Sequence, residues 1–172
     1  VKVHGIGAAG IAGYSVRPVL EVEILVGNES LIVLVNHWKS RIGGEEITEP
    51  ARIASANIVR RILSGNSIKN TGKMIIGAGD LNENANEYEL TGELYQTALM
   101  PIMPLTIQDA AVVSLKVTGL SGSVSDERGV LYNPWLINTK EGFAAEGSYV
   151  FRNEWSTLDH IMVSEAGFDQ VG

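Results

Sequence analysis

Three stretches of the 172-residue chain end an apolar run in polar side chains that could do chemistry. In LIVLVNHWKS, residues 31–40, apolar residues run straight into Asn36 and His37. A histidine at a strand end can donate a hydrogen bond to a phosphate oxygen or act as acid and base. It can equally satisfy the backbone of its own loop. In MIIGAGDLNEN, residues 74–84, Asp80 and Asn82 lie two apart. If the extended conformation persists, they point to one side. The aspartate could then take a proton from water, while the asparagine positions that water or helps bind a cation. A plain turn is the other reading, since Gly-Asp and Asn favour turns. In EWSTLDHIMVS, residues 154–164, Asp159 and His160 are neighbours. A strand sends them to opposite faces, so only one can face a site. A buried Asp159 would need a partner such as His or Arg, or would hold a local structural hydrogen bond.

The segments that must carry these residues can be read from pattern. Leu20–Val26 alternates as a strand, and Gly27-Asn28 is a turn signal. Leu31–Val35 is a solid apolar run, expected to be a strand buried on both faces and the second arm of a hairpin. Thr48-Glu49-Pro50 reads as a helix start, with Thr48 as the cap and Pro50 in the first turn. The helix runs to about Leu63. Ile53, Ala54, Ala56, Ile58, Ile62 and Leu63 form its apolar stripe, and Arg52, Asn57, Arg60 and Arg61 its polar side. Lys73–Ala78 is the next buried strand, closing in Gly79-Asp80-Leu81-Asn82. From Glu83 to Val130 the pattern gives no clear element; Pro101 and Pro104 interrupt it, and Gly119–Gly129 reads as a surface loop. Val130–Ile137, Ser148–Arg152 and Ser156–Val163 read as three further strands. Paired strands with one long helix between them make a layered α/β domain.

Composition narrows the function classes. The length suits one domain with a sizeable core. No apolar run reaches the roughly 18 residues of a membrane helix, so no membrane span is expected. With no cysteine, disulfides and thiolate metal sites are excluded. The net charge of −7 disfavours tight, nonspecific phosphate-backbone binding, which needs a basic face. A recruited divalent cation would still allow work on a phosphodiester. Gly5–Gly10 spells G-x-G-x-x-G, the outline of a dinucleotide-binding turn. The helix that must follow is broken by Gly13 and Pro18, so this stretch reads instead as a glycine-rich connector over residues 1–15. A Ser-His-Asp hydrolase is disfavoured as well, because no G-x-S-x-G elbow is present.

Taken in order, Asn-His-x-Lys-Ser after one buried strand, Gly-Asp-x-Asn after a second, and Leu-Asp-His-Ile-Met-Val-Ser resemble the motifs of the endonuclease/exonuclease/phosphatase superfamily. Arg17–Glu23 is similar to that family's usual approach to the first motif, and Asn36–Arg41 and GSYVFRNEW resemble a bacterial branch. The resemblance covers roughly residues 15–165. It implies a deoxyribonuclease-like α/β (α+β) fold, a layered β-sandwich flanked by helices, with residues 1–172 as a single partial domain. It implies that His37 hydrogen-bonds the scissile phosphate, that Asp80 orients and deprotonates the attacking water, and that Asn82 helps position that water or the metal. Asp159 would orient a catalytic histidine. Asp80 and Asn82 would hold Mg2+ or Mn2+, and the substrate would be a phosphoester of a nucleic acid, a nucleotide or a phospholipid head group. The family's metal-binding Glu and its terminal Ser-Asp-His motif have no counterpart here. The domain is therefore expected to be incomplete at both ends, with unpaired strand edges that invite association. The alternative is a truncated or degenerate domain that binds without catalysis.

Overall fold

The computed structural model describes residues 1–5, 15–65, 73–87, 96–101, 115–118, 130–136 and 147–164. Strands β2 (Val19–Val26) and β3 (Glu29–His37) form the expected antiparallel hairpin. Its two-residue connection places Gly27 at φ 62, a left-handed conformation that glycine adopts without a Cβ penalty. Strand β1 (Lys2–His4) pairs antiparallel on the outer side of β2. Residues 2–4, read from sequence as part of a connector, are thus an edge strand. A dinucleotide-binding unit requires its first two strands to be parallel around a crossover helix, so the antiparallel pairing of β1 with β2 removes that reading. The glycines of residues 6–14 lie outside the described residues.

Helix α1 (Glu45–Ser64) links β3 to strand β4 (Ile75–Asp80), and these two strands pair in parallel. The helix begins three residues before the expected start. Gly44, at φ 117, ends the preceding loop, and Glu45 and Glu46 stand in the first turn, where the helix dipole favours negative charge. Thr48 is inside the helix, and its hydroxyl donates to the carbonyls of Gly44 and Glu45. Pro50 is the sixth helical residue rather than a first-turn one. Ala56, Ile58, Val59, Ile62 and Leu63 pack with Val19, Ile32, Leu34, Ile75 and Met162 in one core cluster. Arg52, assigned from sequence to the polar side, is fully buried.

The remaining strands are β5 (Leu99–Pro101), β6 (Leu115–Thr118), β7 (Val130–Tyr132), β8 (Tyr149–Phe151), β9 (Glu154–Ser156) and β10 (Asp159–Val163). Eight of the ten form a mixed sheet in the order β1-β2-β3-β4-β10-β7-β6-β5, while β8 and β9 form a separate ribbon. The α+β character matches the expectation. Three strands are shorter than read, β8 by one residue at each end. β7 stops at Tyr132 and gives way to a 3-10 turn at Pro134–Leu136, because proline cannot donate to a ladder. Ser156–Val163 is not one strand, since Ser156 ends β9 and β10 starts at Asp159. The Gly119–Gly129 segment lies outside the described residues. Among the described residues both edge strands are only three residues long and carry Lys2 and Pro101, features that limit edge-to-edge pairing. No helix among them is long and apolar enough to cross a membrane.

Register divides the sheet into two faces. Val19, Glu21, Ile32, Leu34, Ile75, Met162 and His160 share the buried face, and Glu21 there pairs with Lys2 and His4. Leu20, Ile24, Val35 and Ile161 share the opposite face, and Val35 and Ile161 are 42% and 66% exposed. Leu31–Val35 is therefore buried on one face, not two. The family expectation of a second layer fits an apolar face of this kind.

Candidate active site

His37, Asp80 and Asp159 are register partners on three adjacent strands. His37 of β3 stands opposite Asp80 of β4, and Asp80 opposite Asp159 of β10. Register partners share a face, so the three side chains project in a row from the open face at one end of the strands. His37 Nε2 lies 3.9 Å from Asp80 Oδ2, with side chains 59% and 40% exposed. Asp159 is exposed too, so it needs no buried partner. Its N–H donates to Ser148 Oγ, and its carbonyl accepts the Trp135 indole N–H at 2.9 Å. An open cleft of about 640 Å³ adjoins this end of the row, with Ala78, Trp135, Ser148 and Ile161 in its walls.

Asn82 does not extend the strand. β4 ends at Asp80, and the chain turns with Asn82 at φ 51. Asparagine tolerates this left-handed conformation better than most residues. The Asn82 N–H donates to Asp80 Oδ1 at 2.9 Å, which fixes the aspartate and turns its Oδ2 toward His37. The Asn82 side chain is nearly buried, and its Nδ2 donates to the Trp38 carbonyl at 3.4 Å. Both expected features thus coexist, a turn and a polar pair, with the turn bringing the pair together.

The backbone behind the row is held tightly. Trp38 N–H donates to the Asp80 carbonyl at 2.9 Å, which ties the end of β3 to the end of β4. The Trp38 carbonyl also accepts Arg17 Nη1 at 2.7 Å. Asn36, on the buried face, donates through Nδ2 to the Leu34 carbonyl and accepts the Trp38 indole N–H on Oδ1. Asn36 thus serves the backbone and Trp38 on the buried face.

His160 points away from Asp159, as alternation requires, and is 2% exposed. Its Nδ1 lies 3.0 Å from Asn133 Nδ2, and an amide nitrogen only donates. Nδ1 is therefore the acceptor, and Nε2–H donates to the Glu83 carbonyl at 2.8 Å. Burial holds the imidazole below its ordinary pKa, against smaller opposing effects from the Glu83 carbonyl and Asp159. His160 is a neutral structural clamp.

Sequence reading missed the buried charges beneath the Asp80–Asn82 turn. Arg52 Nε donates to Glu83 Oε2 at 2.7 Å with both side chains fully buried, and Nη2 pairs with Glu49. Burial, followed by the Glu49 carboxylate, pushes the Glu83 carboxyl up to about 8, against the pull of Arg52. Arg41 Nε donates to the Asn82 carbonyl at 2.9 Å, and its Nη2 donates to Glu87. The Glu49/Arg52 spacing of three residues was the available signal, since such pairs meet on a helix.

Among the described residues no group of three or more histidine or acidic side chains gathers as a metal cage. The donor chemistry nevertheless suits a hard cation, which binds through one or two carboxylates and keeps several waters. The Asp80 side chain is 40% exposed, and Asp159 follows it in the row.

The profile of the endonuclease/exonuclease/phosphatase family matches residues 9–100. The chain belongs to this family. The matched span carries β2, β3, α1 and β4, and with them His37, Asp80 and Asn82, while Asp159 lies beyond it. No curated protein and no solved structure matches the chain. Family membership puts the chain in a superfamily of hydrolases whose members typically use divalent metals and act on phosphoesters.

Proposed function

We propose that the chain is a divalent-metal-dependent hydrolase of phosphoester bonds that works by in-line attack of water. The supporting observation is the register row His37–Asp80–Asp159, which sets an acid/base group and two carboxylates side by side on an open face. In this reading His37 donates a hydrogen bond to a phosphate oxygen. Asp80 orients the water and takes its proton through Oδ2, the oxygen left open by the Asn82 N–H. By the family resemblance Asp159 would orient a catalytic histidine, a role that His4, paired with Glu21, His37, turned to the phosphate, and the buried His160 do not take. Asp80 and Asn82 would hold Mg2+ or Mn2+, whose chemistry is to neutralise charge developing on the phosphate oxygens. The chain's own contribution is to fix the row and to seat the esterified group in the cleft beside Trp135. Residues 1–172 act as one partial domain.

The test is release of p-nitrophenol from bis-p-nitrophenyl phosphate, with magnesium or with a chelator, by wild type and Asp80→Asn. Magnesium-dependent turnover lost in the variant is the expected result. A folded wild-type chain without turnover would point to the alternative, a domain that binds without catalysis.

A further inference from the structure

We propose that Arg52 and Glu83 form a buried positioning unit that holds the Asp80–Asn82 turn in its reactive shape. The inference rests on the proposed roles of Asp80 and Asn82. Arg52 is fixed by the first turns of α1: Nη1 donates to Thr48 Oγ1 at 2.8 Å, and Nη2 to the Glu45 carbonyl at 3.1 Å and to Glu49. Its remaining arm, Nε, reaches out of the helix to Glu83. Glu83 is gripped at three points. Its Oε2 takes Arg52, its Oε1 takes the Ala98 N–H at 3.1 Å, and its carbonyl takes His160. Glu49 Oε1 accepts the same Ala98 N–H at 2.7 Å, so the Glu49 carboxylate, the Glu83 carboxyl and one guanidinium close a single buried cluster.

Two physical arguments give this cluster a positional role. A buried ion cluster adds little net stability over a well-packed apolar replacement, because desolvation offsets the Coulomb gain. What it does supply is fixed geometry. Asn82, the residue before Glu83, sits at φ 51, and a non-glycine residue keeps such a conformation when its surroundings over-determine it. Asp80 Oδ1 holds Asn82 from one side, and the Arg52–Glu83 unit holds the next residue from the other.

The experiment compares Arg52→Lys, Glu83→Ala and Glu83→Gln with Ile62→Ala, a core truncation in the last turn of the same helix. Two readouts are taken well below each variant's Tm: kcat and KM on bis-p-nitrophenyl phosphate, and hydrogen exchange at the Leu81 and Asn82 amides. Arg52→Lys keeps the charge and loses the fork. It is expected to lower kcat about 10- to 100-fold, with KM little changed and protection of both amides reduced. Glu83→Ala should behave alike, and Glu83→Gln, which keeps an acceptor for Arg52, should recover most of the loss. Ile62→Ala should lose stability while keeping kcat and the protection of the two amides. If Glu83→Ala fails to fold, Arg52→Lys decides the matter. Equal kcat and equal amide protection in Arg52→Lys and Ile62→Ala would overturn the proposal. Reduced protection in a protein whose wild type shows no turnover would leave the positioning unit standing and sink the proposed hydrolase.

Discussion

Gly79 and Asn36 face each other across β3 and β4 with no room for a side chain between them. A Cβ on Gly79 would lie 1.9 Å from the Asn36 carbonyl oxygen, and Gly79 has φ 133. The clash is with the backbone of an interior strand, which has no free end to swing aside. Gly79→Ala should therefore cost more than about 3 kcal/mol or prevent folding. Soluble yield and the urea midpoint measure this, and a midpoint near wild type would show that β3 and β4 can separate locally.

The row residues are exposed, so their removal should act on chemistry and not on folding. His37→Ala and Asp159→Asn should each leave the unfolding free energy within about 0.5 kcal/mol of wild type, and Asp80→Asn likewise keeps an oxygen for the Asn82 N–H. Turnover should fall by at least about 100-fold in each. A loss of turnover that tracks a loss of stability would mean these side chains are structural.

His160→Ala should show the reverse pattern. It removes two buried hydrogen bonds and leaves a void beside Met162 and Glu83, at a cost of roughly 2–4 kcal/mol. What remains folded should keep most of its turnover, because Arg52 and the Ala98 N–H still hold the Glu83 side chain. If His160→Ala lost turnover at unchanged stability, the assignment of β10's two faces would be wrong.

The same histidine makes stability depend on pH. Unfolded, it titrates near the ordinary 6.5, whereas burial holds the folded value lower. As pH falls through about 6.5 the unfolded state gains a proton that the folded state refuses. Stability from this group is therefore full above about 6.5 and is lost as pH falls toward the folded value. The Glu83 carboxyl, raised by burial, contributes in the opposite sense over the same range, so the His160 contribution is read as a difference: between pH 7.5 and pH 5.5 the urea midpoint of wild type should fall relative to that of His160→Gln.

A cation binding the folded row but not the unfolded chain should raise the Tm. At ten times its Kd the gain is about 1.4 kcal/mol, or roughly 3–6 °C for a chain of this size. Asp80→Asn should lose the shift. An equal shift in both would place the cation elsewhere.

How much of this was legible in the sequence depended on whether a residue's role is local. The β2–β3 hairpin was readable, because alternation and Gly27-Asn28 act over a few residues. So was the opposition of Asp159 and His160, which follows from the strand period alone. Arg52 was not, because its burial depends on Glu83, 31 residues away. For Asp80 and Asn82 the sequence left extension and a turn open, since both readings use the same residues; the structure has the turn, with the Asn82 N–H on Asp80 Oδ1. The helix start was misplaced because Thr48 and Pro50 carry stronger local signals than Gly44, whose role rests on its backbone angle.

The spacing of the row is inherited from the sheet itself. Neighbouring strands repeat at roughly 4.8 Å, and His37, Asp80 and Asp159 occupy three successive teeth of that comb. A substitution can change which group stands on a tooth. It cannot slide the group by a fraction of a step, because the smallest slip of a strand, one residue, sends its side chains to the other face. New specificity in this protein would therefore come in whole steps of residue identity or from the loops beyond the strand ends. Gradual retuning of distances within the row is closed to it.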